Sequence, residues 1–150
     1  MPATPESGAS AGSDSILAFD CGTRLVGVAI GNRLTASARA LTVLPAGDWA
    51  RLDALVADWR PGHFVVGLPL ALDGGEQPMT RAARAFAAEL QRRYGGAVHL
   101  VDERHTSNEA ARRFAAQRAR GTAKRKDAAA IDALAAQIIL EAWLADAAGA

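Results

Sequence analysis

Short apolar runs and helical patterns follow one another along the chain, and their order predicts an α/β fold. Five segments are short, largely apolar and bounded by turn residues, as expected for strands: 16–20, 26–31, 38–44, 63–68 and 98–103. Four segments repeat apolar residues every three or four positions, as expected for helices: 48–59, 78–93, 106–117 and 127–145. The short connection 21–24 favours an antiparallel hairpin. Three strands followed by strands alternating with helices predict a five-stranded mixed sheet flanked by helices.

The length of 150 residues fits one domain, which we place at residues 15–145. Residues 1–14 form a tail rich in Pro, Ser, Gly and Ala that we expect to be disordered, and residues 146–150 form a short C-terminal tail. No apolar stretch approaches the roughly 18 residues of a membrane span, and the first fourteen residues lack the apolar core of a signal peptide. The single cysteine, Cys21, has no disulfide partner within the chain, which fits a cytoplasmic protein.

Three acidic residues occur where a solvated surface acid is not expected. Asp20 and Glu103 each follow an apolar strand, and Asp132 lies within the last helical pattern. The residues on the same helical face as Asp132 are small or apolar: Ala135, Ala136, Ile139 and Trp143. Because an unpaired buried carboxylate is costly, these acids need a compensating cation or donor. Carboxylate oxygens suit Mg²⁺ or Mn²⁺ better than zinc.

The predicted topology would bring these acids together. Asp20 and Glu103 are expected at the carboxyl ends of neighbouring parallel strands, where open α/β sheets bind their ligands. The alanines at 133, 135 and 136 would let the last helix approach the sheet and carry Asp132 toward the other two. Each acid taken alone has a simpler interpretation as a turn, cap or first-turn residue. Asp102 also remains an alternative to Glu103.

The connection after Asp20 suggests a contact with phosphate. Gly22 and Gly27 reduce side-chain bulk where the backbone would approach such a group, and Thr23 offers a hydroxyl beside the predicted metal. Tight hairpins favour glycine for purely structural reasons as well, and we favour that interpretation for Gly27. For Asp73-Gly74 we favour a simple turn.

Basic residues are concentrated late in the chain, although the net charge is only +1. Segment 112–126 contains seven of the seventeen basic residues and no acidic one. Its last part leads directly into the helix that carries Asp132, so a nucleic-acid backbone entering the acid cluster would pass it. A solvated charge run is the alternative. Few aromatic residues are available for base stacking, which favours recognition of shape and backbone over sequence.

Four blocks, taken in order, resemble the YqgF/RuvX family of RNase H-like nucleases. They span roughly residues 15–145 and are 16–29, 65–74, 102–110 and 132–140. The resemblance implies an RNase H-like fold, a cytoplasmic protein, and a nuclease that matures the 5′ end of 16S ribosomal RNA. Relatives of this fold include Holliday junction resolvases, so branched DNA is the competing substrate.

On this interpretation Asp20, Glu103 and Asp132 are the catalytic residues and the ligands of one or two Mg²⁺ or Mn²⁺ ions, with Asp20 as the bridging ligand. Six residues are predicted to contact nucleic acid: Gly22, Thr23, Arg104, Lys124, Arg125 and Lys126. Arg104 would either hold a phosphate or pair with a neighbouring acid. The active form is a monomer or a homodimer, since a junction resolvase needs two active sites.

Two other classes of protein compete with this interpretation. Actin-like ATPases and sugar kinases also carry an Asp-x-Gly hairpin, but they need two such domains and this chain has length for one. A non-catalytic ribosome-assembly factor would use the same fold and basic segment without depending on metal.

Replacing Lys124, Arg125 and Lys126 together with Ala should reduce the salt dependence of nucleic-acid binding. Each phosphate contact that is lost removes about 0.7–0.9 from the slope of log affinity against log salt concentration. Affinities measured at several salt concentrations give the slope. An unchanged slope would remove the three residues from the interface.

Overall fold

The computed structural model describes residues 14–104 and 130–149. The strands are β1 Ser15–Cys21, β2 Leu25–Asn32, β3 Ser37–Pro45, β4 His63–Leu68 and β5 Ala97–Asp102. The helices are α1 Trp49–Trp59, α2 Pro78–Tyr94 and α3 Ala130–Gly149. The five strands form one mixed sheet, which confirms the predicted fold class. The helix predicted at 106–117 and the start of the one predicted at 127–145 lie outside the described residues.

The sheet has the strand order β3-β2-β1-β4-β5. β1 pairs antiparallel with β2, as predicted for the first hairpin, and parallel with β4, which in turn pairs parallel with β5. The carboxyl ends of β1, β4 and β5 therefore share one edge. The expectation that the strands bearing Asp20 and Glu103 are neighbours is wrong, because β4 lies between them.

The alternation of side chains along each strand divides the core into two layers. In β1, Leu17 and Phe19 point into the larger apolar cluster, which lies on the side of α1 and α2. Ile16 and Ala18 point the other way, into a smaller cluster shared with α3. The sheet is thus covered on both faces. Asp20 lies two residues after Ala18 and is therefore directed to the face that α3 covers.

Asp48, the residue predicted to open helix α1, caps its N-terminus. The Asp48 Oδ1 accepts a hydrogen bond from the Arg51 N–H at 3.1 Å, which is the usual role of a helix-capping aspartate. The C-cap residue Arg60 has a left-handed φ of 46°, and the helix buries Leu52. Among residues 14–104 and 130–149, no helix is long and apolar enough to cross a membrane.

Helix α3 packs on the sheet at backbone distance, because small residues face each other. Ala133 and Ala136 are buried at the contact, as the run of alanines predicted. Opposite them, a Cβ placed on Gly27 would lie 1.9 Å from the Asp132 carbonyl oxygen. Gln137 adds a polar link, since its Oε1 accepts a hydrogen bond from the Ala40 N–H at 3.0 Å. The position of Asp132 therefore depends on the absence of a side chain at Gly27.

Replacing Gly27 with Ala should destabilise the protein by about 2–4 kcal/mol, since α3 has to move away from the sheet to admit one methyl group. The free energy of unfolding from urea denaturation measures the effect. Gly96→Ala is the control, because its added Cβ would meet nothing closer than a Phe64 ring atom at 3.4 Å. Equal stabilities for the two variants would contradict the close contact.

Candidate active site

Asp20 lies near the end of β1, on the face of the sheet that α3 covers. Its direct partner across the antiparallel pair is Gly27, the residue against which α3 packs. The side chain is therefore held between β1 and the start of α3. A rigid central strand fixes where the carboxylate can point.

Glu103 follows the last residue of β5 and is only 6% exposed. Its backbone N–H donates to the Leu68 carbonyl oxygen at 3.1 Å, which extends the pairing of β4 and β5 by one residue. The carboxyl group passes over Gly67, where a Cβ would lie 2.7 Å from the Glu103 Oε2. Beyond Gly67 it shares a hydrogen bond with the carboxyl of Asp20. The two acids thus meet across the intervening strand.

Asp132 lies in the first turn of α3 and is half-buried. Its backbone is in contact with Gly27, directly beside Asp20 in the sheet. The negative charge of Asp132 acts on Asp20 and raises the pKa of that carboxyl. The structure therefore brings the carboxyls of Asp20 and Glu103 into contact and places Asp132 within electrostatic range of Asp20.

The three carboxyl groups are expensive to ionise in these surroundings. Burial raises the pKa of Asp20, and the charge of Asp132 raises it further. The hydrogen bond with Glu103 acts in the opposite direction. Burial, the neighbouring charge of Asp20 and the shared hydrogen bond raise the pKa of Glu103 to about 9. Burial also raises the pKa of Asp132. By sharing one proton, Asp20 and Glu103 avoid carrying two negative charges side by side. A bound cation would take the place of that proton.

The donor set fits a hard divalent cation. All three side chains supply carboxylate oxygens, the ligands that Mg²⁺ and Mn²⁺ prefer. Within residues 14–104 and 130–149, no three acidic, histidine or cysteine side chains already stand in the spacing of a bound ion. Binding of one shared ion would therefore require these side chains to rearrange.

Asp102 and Glu103 are neighbours in sequence but have different surroundings. The Asp102 side chain is 40% exposed and forms an ion pair with Arg104 at 2.5 Å. Adjacent residues in extended backbone point to opposite sides, so only one of the two can reach Asp20. The geometry favours Glu103. It also favours ion pairing for Arg104, whose backbone N–H and Nε both donate to Asp102.

The predicted nucleic-acid contacts are only partly described. Gly22 and Thr23 form the exposed turn between β1 and β2, beside Asp20, with the Gly22 N–H donating to the Leu25 carbonyl oxygen at 2.9 Å. Lys124, Arg125 and Lys126 lie outside the residues that the structure describes, so their role stays a prediction.

Sequence reasoning did not anticipate the part that Gly67 takes in the site. A glycine inside an otherwise apolar strand is a signal for close approach by another group. Here a Cβ would meet both the Glu103 carboxyl and, at 2.4 Å, the Ile139 Cδ1 of α3. Gly67 is what lets Glu103 reach Asp20 across β4.

A five-stranded mixed sheet of this strand order, with helices on both faces, is the arrangement of the RNase H-like fold. Among solved structures, T. thermophilus RuvC in complex with Holliday junction substrate matches with a TM-score of 0.55 and 18% identity, over 90% of this chain and 96% of that chain. A second T. thermophilus RuvC structure matches with a TM-score of 0.54 and 17% identity, over 90% and 96%. These likenesses show the fold.

Sequence comparison is more specific. The family RuvX, described as Holliday junction resolvase, matches residues 14–146. A protein of Xanthomonas campestris pv. campestris (strain B100) named "Putative pre-16S rRNA nuclease" is 49% identical over 144 residues, 93% of each chain. A protein of the same name from Xanthomonas axonopodis pv. citri (strain 306) is 48% identical over 145 residues, 94% of each chain. The chain belongs to the RuvX family of nucleases.

Replacing Glu103 with Gln should make metal-free protein more stable at alkaline pH. The folded state keeps the Glu103 proton to about pH 9 while the unfolded state loses it near the ordinary value of 4.5, so the free energy of unfolding falls as pH rises through that window. Gln cannot ionise but still donates to Asp20. We expect a flatter pH profile and a gain of about 1–3 kcal/mol at the alkaline end.

Urea denaturation in EDTA across this window measures the effect, with Asp58→Asn, an exposed acid on α1, as the control. Parallel pH profiles for wild type and Glu103→Gln would show that the Glu103 proton is not held as described.

Proposed function

We propose that this protein is a metal-dependent nuclease that hydrolyses phosphodiester bonds in precursor 16S ribosomal RNA and matures its 5′ end. The observation that carries the proposal is the meeting of Asp20 and Glu103 across Gly67, with Asp132 beside them. The names of the Xanthomonas relatives supply the substrate. The family shown by the sequence supplies the class of reaction.

Asp20, Glu103 and Asp132 are the residues that would hold Mg²⁺ or Mn²⁺. When bound, such ions polarise the scissile phosphate, lower the pKa of the attacking water and stabilise the leaving oxygen. The charges of the three carboxylates, which repel one another and are poorly solvated, are an electrostatic reason for the site to attract a divalent cation.

The chain's own residues fix the geometry of the reaction. Asp20 is carried by a central strand, Glu103 is tied to β4 through the Leu68 carbonyl, and Asp132 is set by the contact of α3 with Gly27. Carboxylates on rigid elements keep their relative positions when substrate binds. The exposed turn at Gly22 and Thr23 stands at the same edge of the sheet, where its backbone and hydroxyl can hold a substrate phosphate.

A Holliday junction is the second candidate substrate, since the description of the family names it. The chemistry at the acids would be the same. A junction presents two strands for cleavage, so this activity requires two copies of the chain acting together. A non-catalytic assembly factor is less well supported. Three acids that are at least partly buried, with raised pKa values that oppose folding, give such a protein no benefit in return.

Replacing Asp20 with Asn should reduce cleavage by about a thousandfold or more while leaving folding and nucleic-acid binding nearly unchanged, because the substitution removes one negative charge and little volume. Precursor 16S ribosomal RNA and a four-way DNA junction, each incubated with Mn²⁺, are the substrates to compare.

Asp58→Asn again serves as the control and should cleave like wild type. Defined ends on the RNA support the proposed substrate, and paired nicks in the junction support the alternative. Cleavage by pure Asp20→Asn protein at the wild-type rate would overturn the assignment of the site.

A further inference from the structure

Leu72 is a large apolar side chain that is 86% exposed. It lies in the segment 69–77 between β4 and α2, which we call the β4–α2 loop. Scattered leucines on a protein surface are ordinary and need no explanation. Leu72 differs because the loop that carries it is rigidly built and adjoins the acids of the active site.

Local hydrogen bonds hold the β4–α2 loop in one shape. Leu70 and Glu76 pair as an isolated antiparallel bridge, so the two arms of the loop lie side by side. The turn between them is closed by three hydrogen bonds: Ala71 N–H to Gly75 O at 2.9 Å, Gly74 N–H to Ala71 O at 2.8 Å and Gly75 N–H to Asp73 Oδ1 at 2.8 Å. Gly74 takes the left-handed φ of 89° that this turn requires.

The base of the loop is anchored to α2. The buried Thr80 hydroxyl donates to the Pro69 carbonyl oxygen and accepts from the Gln77 N–H at 2.8 Å. Both arms are therefore tied to the first turn of the helix. Leu72, at the tip, remains 86% exposed.

The loop stands next to the acid cluster. It starts two residues after Gly67, over which the Glu103 carboxyl passes, and the Glu103 N–H is bonded to Leu68 O just before it. At the tip, the Arg104 Nη1 reaches the Leu72 carbonyl oxygen at 3.4 Å. Arg104 is itself held by Asp102 at 2.5 Å. The tip is thus connected to the residue that follows Glu103 in the chain.

We propose that Leu72 is a substrate-contacting residue that packs against the face of a nucleobase next to the cleaved phosphodiester bond. An aliphatic side chain offers nothing to a phosphate or a hydroxyl. The extended apolar surfaces of a nucleic acid are its bases, and leucine is among the side chains that proteins insert between base steps. The proposal rests on the proposed function, since it concerns how that same site positions its substrate.

The test compares Leu72→Ser with Leu34→Ser. Leu34 is a matched control, being 81% exposed in the turn after β2. That turn lies at the opposite end of the sheet, because Asn32 pairs with Ser15 whereas Asp20 pairs with Gly27. Both variants should unfold like wild type. Leu72→Ser should lower kcat/KM by about tenfold, Leu72→Met should restore most of it, and Leu34→Ser should leave it unchanged.

A second readout reports base contact directly. With 2-aminopurine placed beside the cleaved bond, binding of Asp20→Asn protein should raise its fluorescence through unstacking, and the double variant with Leu72→Ser should not. Equal cleavage and equal fluorescence for Leu72→Ser and Leu34→Ser would overturn the role of Leu72 while leaving the nuclease proposal intact. Absence of cleavage by the wild type would instead overturn the nuclease proposal, and the inference with it.

Discussion

The contact between helix α3 and the sheet is the constraint on which the rest of the structure depends. The helix lies so close to β2 that the space of a side chain at Gly27 is taken by the Asp132 carbonyl oxygen. Small residues on both surfaces make this approach possible, and the apolar cluster of Ile139, Leu140 and their partners stabilises it. One packing contact therefore secures a layer of the core and sets Asp132 beside the strand pair that carries Asp20.

The acid cluster opposes the stability that this packing provides. Burial raises the pKa of all three carboxyl groups, and the charges of Asp20 and Asp132 add to the effect. The domain tolerates it because two apolar layers, one on each face of the sheet, hold the strands in place regardless of the site. Strain of this kind, concentrated at one edge, is typical of sites that are completed by a bound cation.

Because successive side chains along an extended chain point in opposite directions, neighbouring residues at the proposed site have different partners. Glu103 turns inward to Asp20, whereas Asp102 turns outward and binds Arg104. Arg104 in turn reaches the β4–α2 loop at the Leu72 carbonyl. Residues 102–104 thus connect the carboxylates of the proposed site with the β4–α2 loop. The proposed metal ligands and the proposed base contact are therefore held by the same short segment.

The sequence by itself determined the elements and the class of fold, because hydrophobic periodicity and turn residues act locally: the antiparallel hairpin, the helix that begins at Asp48 and the helix with an alanine-rich face all form as predicted. It also singled out Asp20, Glu103 and Asp132, since acids beside apolar runs stand out without coordinates. Only the tertiary structure decided that β4 separates the strands of Asp20 and Glu103, and that Gly67 lets their carboxyls meet across it. Strand order and side-chain clearance depend on contacts between residues far apart in the chain, which periodicity does not encode.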